Sequence, residues 1–155
     1  ALAQLLPQAT VFATDISDKA LKLADNNAIA NHVGNRVRFV REDLFSGKLN
    51  LRGWVDLLVS NPPYIPTREL ERLEPEVQAE PRLALDGGKD GLDALRAIVL
   101  MASKMVKPGG FVALEIGSEQ GEPVSRMMSA AGFTGVHVKK DAQGHERTAF
   151  GRLPA

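Results

Sequence analysis

The stretch Val55–Tyr64, VDLLVSNPPY, decides how the rest of the sequence is interpreted. Its first six residues are mostly Val and Leu, a pattern typical of a parallel-sheet strand that is buried on both faces. Asn61 then lies at the carboxyl end of this strand, where open α/β sheets bind their ligands. Pro62 and Pro63 fix their own φ angles and restrict the residues before them, so the sequence predicts a rigid turn.

This turn offers hydrogen-bond acceptors and a flat ring, but it offers no nucleophile. Asn61 supplies a side-chain carbonyl oxygen, Pro62 a main-chain carbonyl without a competing N–H, and Tyr64 an aromatic face. These groups suit a planar NH2 group of an amide or an amine. Since Asn-Pro-Pro also forms ordinary turns, the interpretation depends on its position after a buried strand.

The composition is that of a single domain without a strong overall charge. The chain has 155 residues, 44% of them hydrophobic, which is enough to bury a core. Lys+Arg and Asp+Glu balance at 19 each, so bulk charge favours neither nucleic acid nor a membrane surface. The sequence has no cysteine, and its three histidines lack the spacing of metal ligands, so we expect no metal site. It shows no signal peptide and no long apolar run, so we expect a cytoplasmic protein without a membrane partner.

The predicted elements alternate between strand and helix and end in a hairpin. Before the central stretch we expect a strand at 10–14, a helix from Ser17 to Gly34 and a strand at 37–40. After it we expect an irregular loop at 65–90 with a short helix near 68–73, a helix at 91–105 with Asp90 as its N-cap, a strand at 111–116, a helix at 119–131, and strands at 135–140 and 148–153. This order predicts a three-layer α/β fold, with a mostly parallel sheet and one reversed strand, as one domain over residues 1–155.

Two acidic residues follow the earlier strands of the predicted sheet. Asp15 ends the strand at 10–14, where a carboxylate can accept hydrogen bonds from both ribose hydroxyls of a nucleotide, although it could also cap the next helix. Asp43, followed by Leu44, ends the next strand, where it can accept from an exocyclic amine such as that of adenine. A surface turn residue is the alternative for Asp43.

A glycine-rich loop of the kind that approaches a nucleotide most closely is not found in the sequence. Gly87-Gly88 follows no predicted strand, so we do not interpret it as a phosphate-binding loop. The sequence begins at Ala1 without an initiator methionine, in residues that look like the end of a helix. We therefore expect a fragment that starts after the missing loop.

Several motifs together resemble one known family. Asn61–Tyr64, with Asp15 and Asp43 upstream, resembles class I S-adenosylmethionine-dependent methyltransferases whose acceptor is a planar NH2 nitrogen of adenine, guanine or glutamine. The segment 80–92, with Glu80-Pro81, ALDGG at 84–88 and DGL at 90–92, resembles the HemK family, the peptide chain release factor glutamine methyltransferases. Glu146-Arg147 and Gly151-Arg152 are similar to that family's closing hairpin. The family's N-terminal helical domain and glycine-rich loop have no counterpart in the sequence.

The resemblance implies a Rossmann-like class I methyltransferase fold, S-adenosyl-L-methionine as cofactor, and methyl transfer to the glutamine of the Gly-Gly-Gln loop of a release factor. The residues that it implies are Asn61, Pro62 and Tyr64 for catalysis, Asp15, Asp43, Leu44 and Asn61 for the cofactor, and Asn61, Pro62, Pro63, Tyr64, Glu80 and Pro81 for the substrate. One alternative is methylation of adenine or guanine in nucleic acid, which the zero net charge disfavours. Another is a non-catalytic fragment that binds no cofactor.

Overall fold

The computed structural model describes residues 1–46 and 51–155. The chain divides into two compact units, Ala1–Leu49 and Asn50–Ala155. The single domain expected over residues 1–155 stays a prediction. None of the helices in the described ranges is long and apolar enough to span a bilayer.

The first unit is a β-α-β arrangement preceded by a short helix. Its elements are α1 (Leu2–Leu5), β1 (Val11–Asp15), α2 (Asp18–Ala30) and β2 (Val37–Arg41). Strands β1 and β2 are parallel, with Val11 opposite Val37 and Asp15 opposite Arg41. Their small core contains the buried residues Ala3, Ala28 and Val33 and the partly buried residues Val11, Val37 and Phe39. Both strands and the helix are present as predicted, although the helix is shorter at its C-terminal end.

Helix α2 begins where the sequence predicts and ends earlier. Ser17 is the N-cap, and its side chain accepts a hydrogen bond from the Ala20 N–H at 3.3 Å. The helix ends at Ala30 because His32 adopts a left-handed conformation with a φ of 57°. Gly34 instead begins a short 3-10 turn, so the expected helix end at Gly34 is wrong.

The second unit contains a four-stranded mixed sheet. Its elements in chain order are β3 (Val55–Ser60), α3 (Pro75–Gln78), α4 (Arg82–Leu85), α5 (Asp93–Met105), β4 (Val106–Glu115), α6 (Gly121–Ala130), β5 (Thr134–Lys140) and β6 (Glu146–Arg152). The strand order is β3-β4-β6-β5, with β3 parallel to β4 and β6 antiparallel to both of its neighbours. The closing hairpin and its reversed strand are therefore confirmed.

The core of the second unit forms where α5 and α6 pack on the sheet. The buried residues of α5 recur at helical spacing and are Ala94, Leu95, Ile98, Val99, Ala102 and Met105. Each fully buried large aliphatic side chain contributes roughly 1.5–3 kcal/mol relative to an exposed one. The predicted N-cap at Asp90 is wrong, because the cap position belongs to Leu92. Asp90 instead accepts a hydrogen bond from the Leu92 N–H at 3.1 Å, just before the helix begins.

Strand β3 is less buried than its sequence predicts. Leu57 is 39% exposed and Val59 is 51% exposed, so the expectation of burial on both faces is wrong. In the part of the chain that the structure describes, β3 pairs with β4 alone and is an edge strand. Burial depends on what covers each face of a strand, and an apolar run does not determine it.

The segment 65–90 is more ordered than the predicted irregular loop. A 3-10 helix at Thr67–Arg72 confirms the short helix expected near 68–73, and α3 and α4 follow it. Ile65 and Asp86 form an isolated parallel bridge, which brings the two ends of the segment together. Helices of four residues are too short to show a hydrophobic period, so the sequence did not indicate them.

Candidate functional site

The turn after β3 presents an exposed asparagine on a buried support. Ser60 pairs with Leu114 of β4, which fixes the carboxyl end of β3 just before Asn61. Asn61 is exposed, and none of the described residues forms a hydrogen bond with its side chain. Pro62 is buried and Pro63 is half-buried. The Asn61 amide is therefore open to a ligand, while the residue that follows it is packed in place.

The Tyr64 hydroxyl lies between a carboxylate and a guanidinium. It donates a hydrogen bond to Glu115 Oε1 at 3.3 Å, and Arg147 Nη1 donates to the hydroxyl at 3.5 Å. Asp141 Oδ2 in turn accepts a hydrogen bond from Arg147 Nη2 at 3.3 Å. Burial, and then the Glu115 charge, raise the pKa of Tyr64 against the opposing effect of Arg147. The phenol is therefore neutral at physiological pH and acts as a hydrogen-bond donor.

The Tyr64 ring packs over the backbone that leaves β4. A Cβ placed on Gly117 would lie 3.5 Å from Tyr64 Cδ2, which is ordinary van der Waals contact. Glu115 is the last residue of β4, so the ring and the hydroxyl are both positioned by the end of that strand.

The main-chain carbonyl of Tyr64 has a partner of its own. Gln120 Nε2 donates hydrogen bonds to Tyr64 O at 3.0 Å and to Gly91 O at 3.1 Å. Gln120 Oε1 accepts a hydrogen bond from the Gly117 N–H at 2.8 Å. Gln120 is buried, and these three bonds use its acceptor and both of its donor hydrogens.

Two glycines make room for the Tyr64 backbone. A Cβ on Gly87 would lie 2.8 Å from Tyr64 Cα, and a Cβ on Gly91 would lie 2.4 Å from Tyr64 O. Gly91 also has a φ of +77°, which disfavours any larger residue. The glycines of the segment 84–92 therefore have a structural role beside the turn, which the sequence left unassigned.

Asp86 ties this glycine segment to the residues after Tyr64. Its Oδ1 accepts hydrogen bonds from Thr67 Oγ1 at 2.6 Å and from the Gly88 N–H at 3.0 Å. The Gly87 N–H donates a hydrogen bond to Ile65 O at 2.9 Å, next to the isolated bridge between Ile65 and Asp86. The Thr67 hydrogen bond, and then the Gly88 N–H, lower the pKa of Asp86 below its usual range.

Glu80 and Pro81 lie in the short-helix segment. Both are exposed, and Pro81 is the residue just before α4. A cavity of about 180 Å³ includes Glu80 in its lining, together with Leu70, Glu71, Gln78, Arg82 and Leu85. The last residue of α4, Leu85, accepts a hydrogen bond from the Ile65 N–H at 3.0 Å. Helix α4 thus links the Glu80-Pro81 segment to the residue that follows Tyr64.

The first unit brings Asp15 and Asp43 to the same end of its two strands. The Glu42 N–H donates to Asp15 O at 3.1 Å, so the chain leaves β2 beside the end of β1. Asp15 Oδ1 accepts from the Ser17 N–H at 2.8 Å, and Asp43 Oδ1 accepts from the Phe45 N–H at 2.9 Å. Both aspartates are exposed, and Leu44 begins a 3-10 turn directly after Asp43. Since Ser17 caps α2, the capping role considered for Asp15 is not the one that it has.

Two of the residues that surround Tyr64, Glu115 and Gln120, were not expected from the sequence. Glu115 ends β4 as Asn61 follows the end of β3, so the same positional rule could have found it. Gln120 gave no such signal, because it lies just before α6 in a stretch that was expected to be helix.

Comparisons with known proteins agree with this architecture. The family model described as "Methyltransferase small domain" matches residues 1–77. The release factor glutamine methyltransferase of Moorella thermoacetica is 46% identical over 147 residues, which are 94% of this chain and 51% of that protein.

Solved structures of low sequence identity share the fold. A methyltransferase from Pyrococcus furiosus has a TM-score of 0.71 at 18% identity, over 99% of this chain and 68% of that one. The S-adenosylmethionine-dependent methyltransferase SibL has a TM-score of 0.61 at 17% identity, over 99% of this chain and 46% of that one.

The matches extend across both units of the chain. The chain spans about half the length of the curated relatives it matches, 51% and 53% of two of them. Its α/β order with the reversed strand β6 is that of a class I methyltransferase. Over nearly its whole length the chain is similar to proteins named release factor glutamine methyltransferase.

Proposed function

We propose that this protein transfers a methyl group from S-adenosyl-L-methionine to the side-chain amide nitrogen of the glutamine in the Gly-Gly-Gln loop of peptide chain release factors. One observation carries the proposal: the exposed Asn61 amide, free of hydrogen bonds from the described residues, begins a turn whose Tyr64 is hydrogen-bonded at both its hydroxyl and its main-chain carbonyl. The names of the curated relatives support the same substrate class.

An amide nitrogen is a weak nucleophile because its lone pair is delocalised into the carbonyl group. The protein must therefore orient it toward the methyl group, and positioning of this kind can lower a barrier by roughly 7–11 kcal/mol at most. Asn61 Oδ1 accepts one hydrogen of the acceptor amide, and the Pro62 carbonyl accepts the other. Tyr64 packs against the acceptor, and Pro62 and Pro63 restrict the backbone rotations of the turn that carries these groups.

The residues of the first unit suit the cofactor. Asp15 and Asp43 are exposed at the carboxyl end of a parallel strand pair, and each uses Oδ1 in its local turn. Asp15 binds the ribose hydroxyls, and Asp43 with Leu44 binds the adenine. When bound, S-adenosylmethionine would supply a methyl group on a sulfonium; the carbon–sulfur bonding pair would stay on sulfur, and one amide proton would leave to solvent as the carbon–nitrogen bond forms.

The remaining roles follow from the same assignment. Residues 1–155 act as one catalytic domain in the cytoplasm, and Glu80 and Pro81 contact the release factor. The balanced charge of 19 basic and 19 acidic residues supports a protein substrate without direct binding of nucleic acid.

The test uses the protein as its gene encodes it, with S-adenosylmethionine labelled on the methyl group and a purified release factor. Asn61→Ala should lower the rate of transfer by at least about 100-fold, as for the loss of one positioned hydrogen-bonding group. It should leave the cofactor Kd nearly unchanged. The matched control Asn35→Ala replaces an exposed asparagine of the first unit and should leave both quantities unchanged.

The acceptor controls separate the competing functions. A release factor with the Gly-Gly-Gln glutamine replaced should take up no label. Label transferred to adenine- or guanine-containing nucleic acid, with none to release factor, would contradict the proposal in favour of nucleic-acid methylation. Equal loss of cofactor binding and transfer in Asn61→Ala would show that Asn61 has a structural role only.

A further inference from the structure

We propose that Gln120 is a positioning residue for methyl transfer, which sets the orientation of the Asn61–Tyr64 turn through the main-chain carbonyl of Tyr64. This inference rests on the proposed function of that turn. Gln120 lies outside every motif that led to the functional assignment.

Gln120 joins three separate segments through one side chain. Its Nε2 donates to Tyr64 O at 3.0 Å and to Gly91 O at 3.1 Å, and its Oε1 accepts from the Gly117 N–H at 2.8 Å. Tyr64 follows β3, Gly91 precedes α5, and Gly117 follows β4. The side chain therefore fixes the turn relative to the elements on either side of it.

A primary amide is the side-chain group that meets this demand. The two carbonyl groups require two donor hydrogens, and the Gly117 N–H requires an acceptor at the same end of the side chain. A carboxylate could accept from Gly117, but it has no hydrogen for the two carbonyls. A thioether of similar length could do neither well. Because buried backbone groups need partners, the local backbone must rearrange when this amide is replaced.

The surrounding packing leaves the Tyr64 carbonyl little room to find another partner. A Cβ on Gly91 would lie 2.4 Å from Tyr64 O and 2.8 Å from Gln120 Nε2, which shows how closely these groups approach. On the other side, a Cβ on Gly117 would lie 3.1 Å from Gln120 Oε1. A small shift of the backbone at Tyr64, Gly91 or Gly117 therefore displaces the backbone at the other two positions.

The turn is short enough for this contact to affect its acceptors. Its start is fixed where Ser60 pairs with Leu114, and its end is fixed at Tyr64 O by Gln120. Pro62 and Pro63 restrict the rotations between those points. Loss of the Gln120 contact therefore changes the direction of the Asn61 side chain and the Pro62 carbonyl, although the hydrogen bonds of the Gln120 side chain go to Tyr64, Gly91 and Gly117.

The experiment compares Gln120→Glu and Gln120→Met with the matched control Glu146→Ala, in the protein as its gene encodes it. Glu146 Oε2 accepts a hydrogen bond from the Gly121 N–H at 2.9 Å, at the start of α6 next to Gln120. Its removal weakens the same helix end without removing a bond to Tyr64. The measurements are Tm, kcat and KM for release factor, cofactor Kd, and the fluorine NMR signal of fluorotyrosine at Tyr64.

Tyr64 is the only tyrosine in this sequence, and Tyr64→Phe identifies its signal. Both Gln120 variants should lower kcat by about 10- to 100-fold, as for a misplacement near 1 Å. They should leave KM and cofactor Kd unchanged and should shift or broaden the Tyr64 signal. Glu146→Ala should lower Tm while kcat and the signal stay as in the wild type.

Folded Gln120 variants that keep the wild-type kcat and Tyr64 signal would overturn the inference, whatever their Tm. A loss of kcat and a changed signal in Glu146→Ala equal to those in the Gln120 variants would also overturn it, because any weakening of this helix end would then suffice. If the wild type does not methylate release factor, the proposed function fails. The Tyr64 signal then still decides whether Gln120 positions the turn.

Discussion

The Tyr64 hydroxyl donates a hydrogen bond to Glu115 Oε1 at 3.3 Å, which connects the turn after β3 to the carboxyl end of β4. Burial and the Glu115 charge raise the pKa of Tyr64, and Arg147 lowers it. We expect Glu115→Gln to lower this pKa and Arg147→Gln to raise it. The phenolate absorbance during a pH titration gives the pKa of Tyr64 in each variant, after the absorbance of Tyr64→Phe has been subtracted. Shifts of the same sign in the two variants would contradict the arrangement.

Gly91 should tolerate alanine less well than a glycine with the same backbone conformation. Gly91 and Gly132 both have a positive φ, and a Cβ on Gly132 would meet nothing within 4 Å. Gly132→Ala should lose about 1–2 kcal/mol of unfolding free energy from the left-handed conformation alone. Gly91→Ala should lose roughly 1–3 kcal/mol more, because its Cβ overlaps Tyr64 O. Urea unfolding measures both variants, and equal losses would contradict the close approach.

Asp86 should make stability depend on pH in a defined direction. The Thr67 hydrogen bond lowers the pKa of Asp86 in the folded state, so the carboxylate stabilises the fold above its unfolded pKa. This contribution is lost as pH falls through the folded pKa. The difference in unfolding free energy between wild type and Asp86→Asn should therefore be largest near neutral pH and shrink below about pH 4.

Urea unfolding at a series of pH values measures this difference. Thr67→Val, which removes the main donor to Asp86, should give a difference of the same sign and pH dependence. A difference that stays constant from neutral to acid pH would show that the Asp86 carboxylate is not stabilised by these bonds.

Two leucines of α5 should differ sharply in their contribution to stability. Leu95 is fully buried, whereas Leu100 is 60% exposed on the same helix. Leu95→Ala should lower the free energy of unfolding by about 2–5 kcal/mol, because it leaves a cavity in the core. Leu100→Ala should change it by at most about 0.5 kcal/mol. Chemical denaturation of the two variants measures this, and similar losses would show that α5 packs through a different face.

The features that the sequence predicted well are those with a local cause. The inward face of α5 was visible in the spacing of Leu95, Ile98 and Val99, because apolar residues that recur at helical spacing can be recognised within a few adjacent turns. The place of Asn61 at the end of β3 followed from an apolar run that stops at two prolines. The reversed strand β6 followed from a turn composition between two β-prone stretches.

The features that escaped prediction depend on distant parts of the chain. Gln120 is separated in sequence from its partners Tyr64 and Gly91 by 56 and 29 residues, and no local sequence pattern indicates either contact. Leu57 looked buried because its strand is apolar, yet its exposure is decided by what lies over it. The helix end at His32 depends on a left-handed residue that is not a glycine, which composition alone does not indicate.

The partners of the Tyr64 side chain and carbonyl also determine when the motif can reach its final geometry during synthesis. Glu115, Gln120 and Arg147 follow Tyr64 in the chain by 51, 56 and 83 residues. A growing polypeptide is made from its N-terminus, so the turn itself leaves the ribosome well before the groups that orient it. The nascent protein therefore carries every residue of the Asn-Pro-Pro-Tyr motif long before that motif has its final geometry, which is reached only when β6 has been synthesised and has paired with β4.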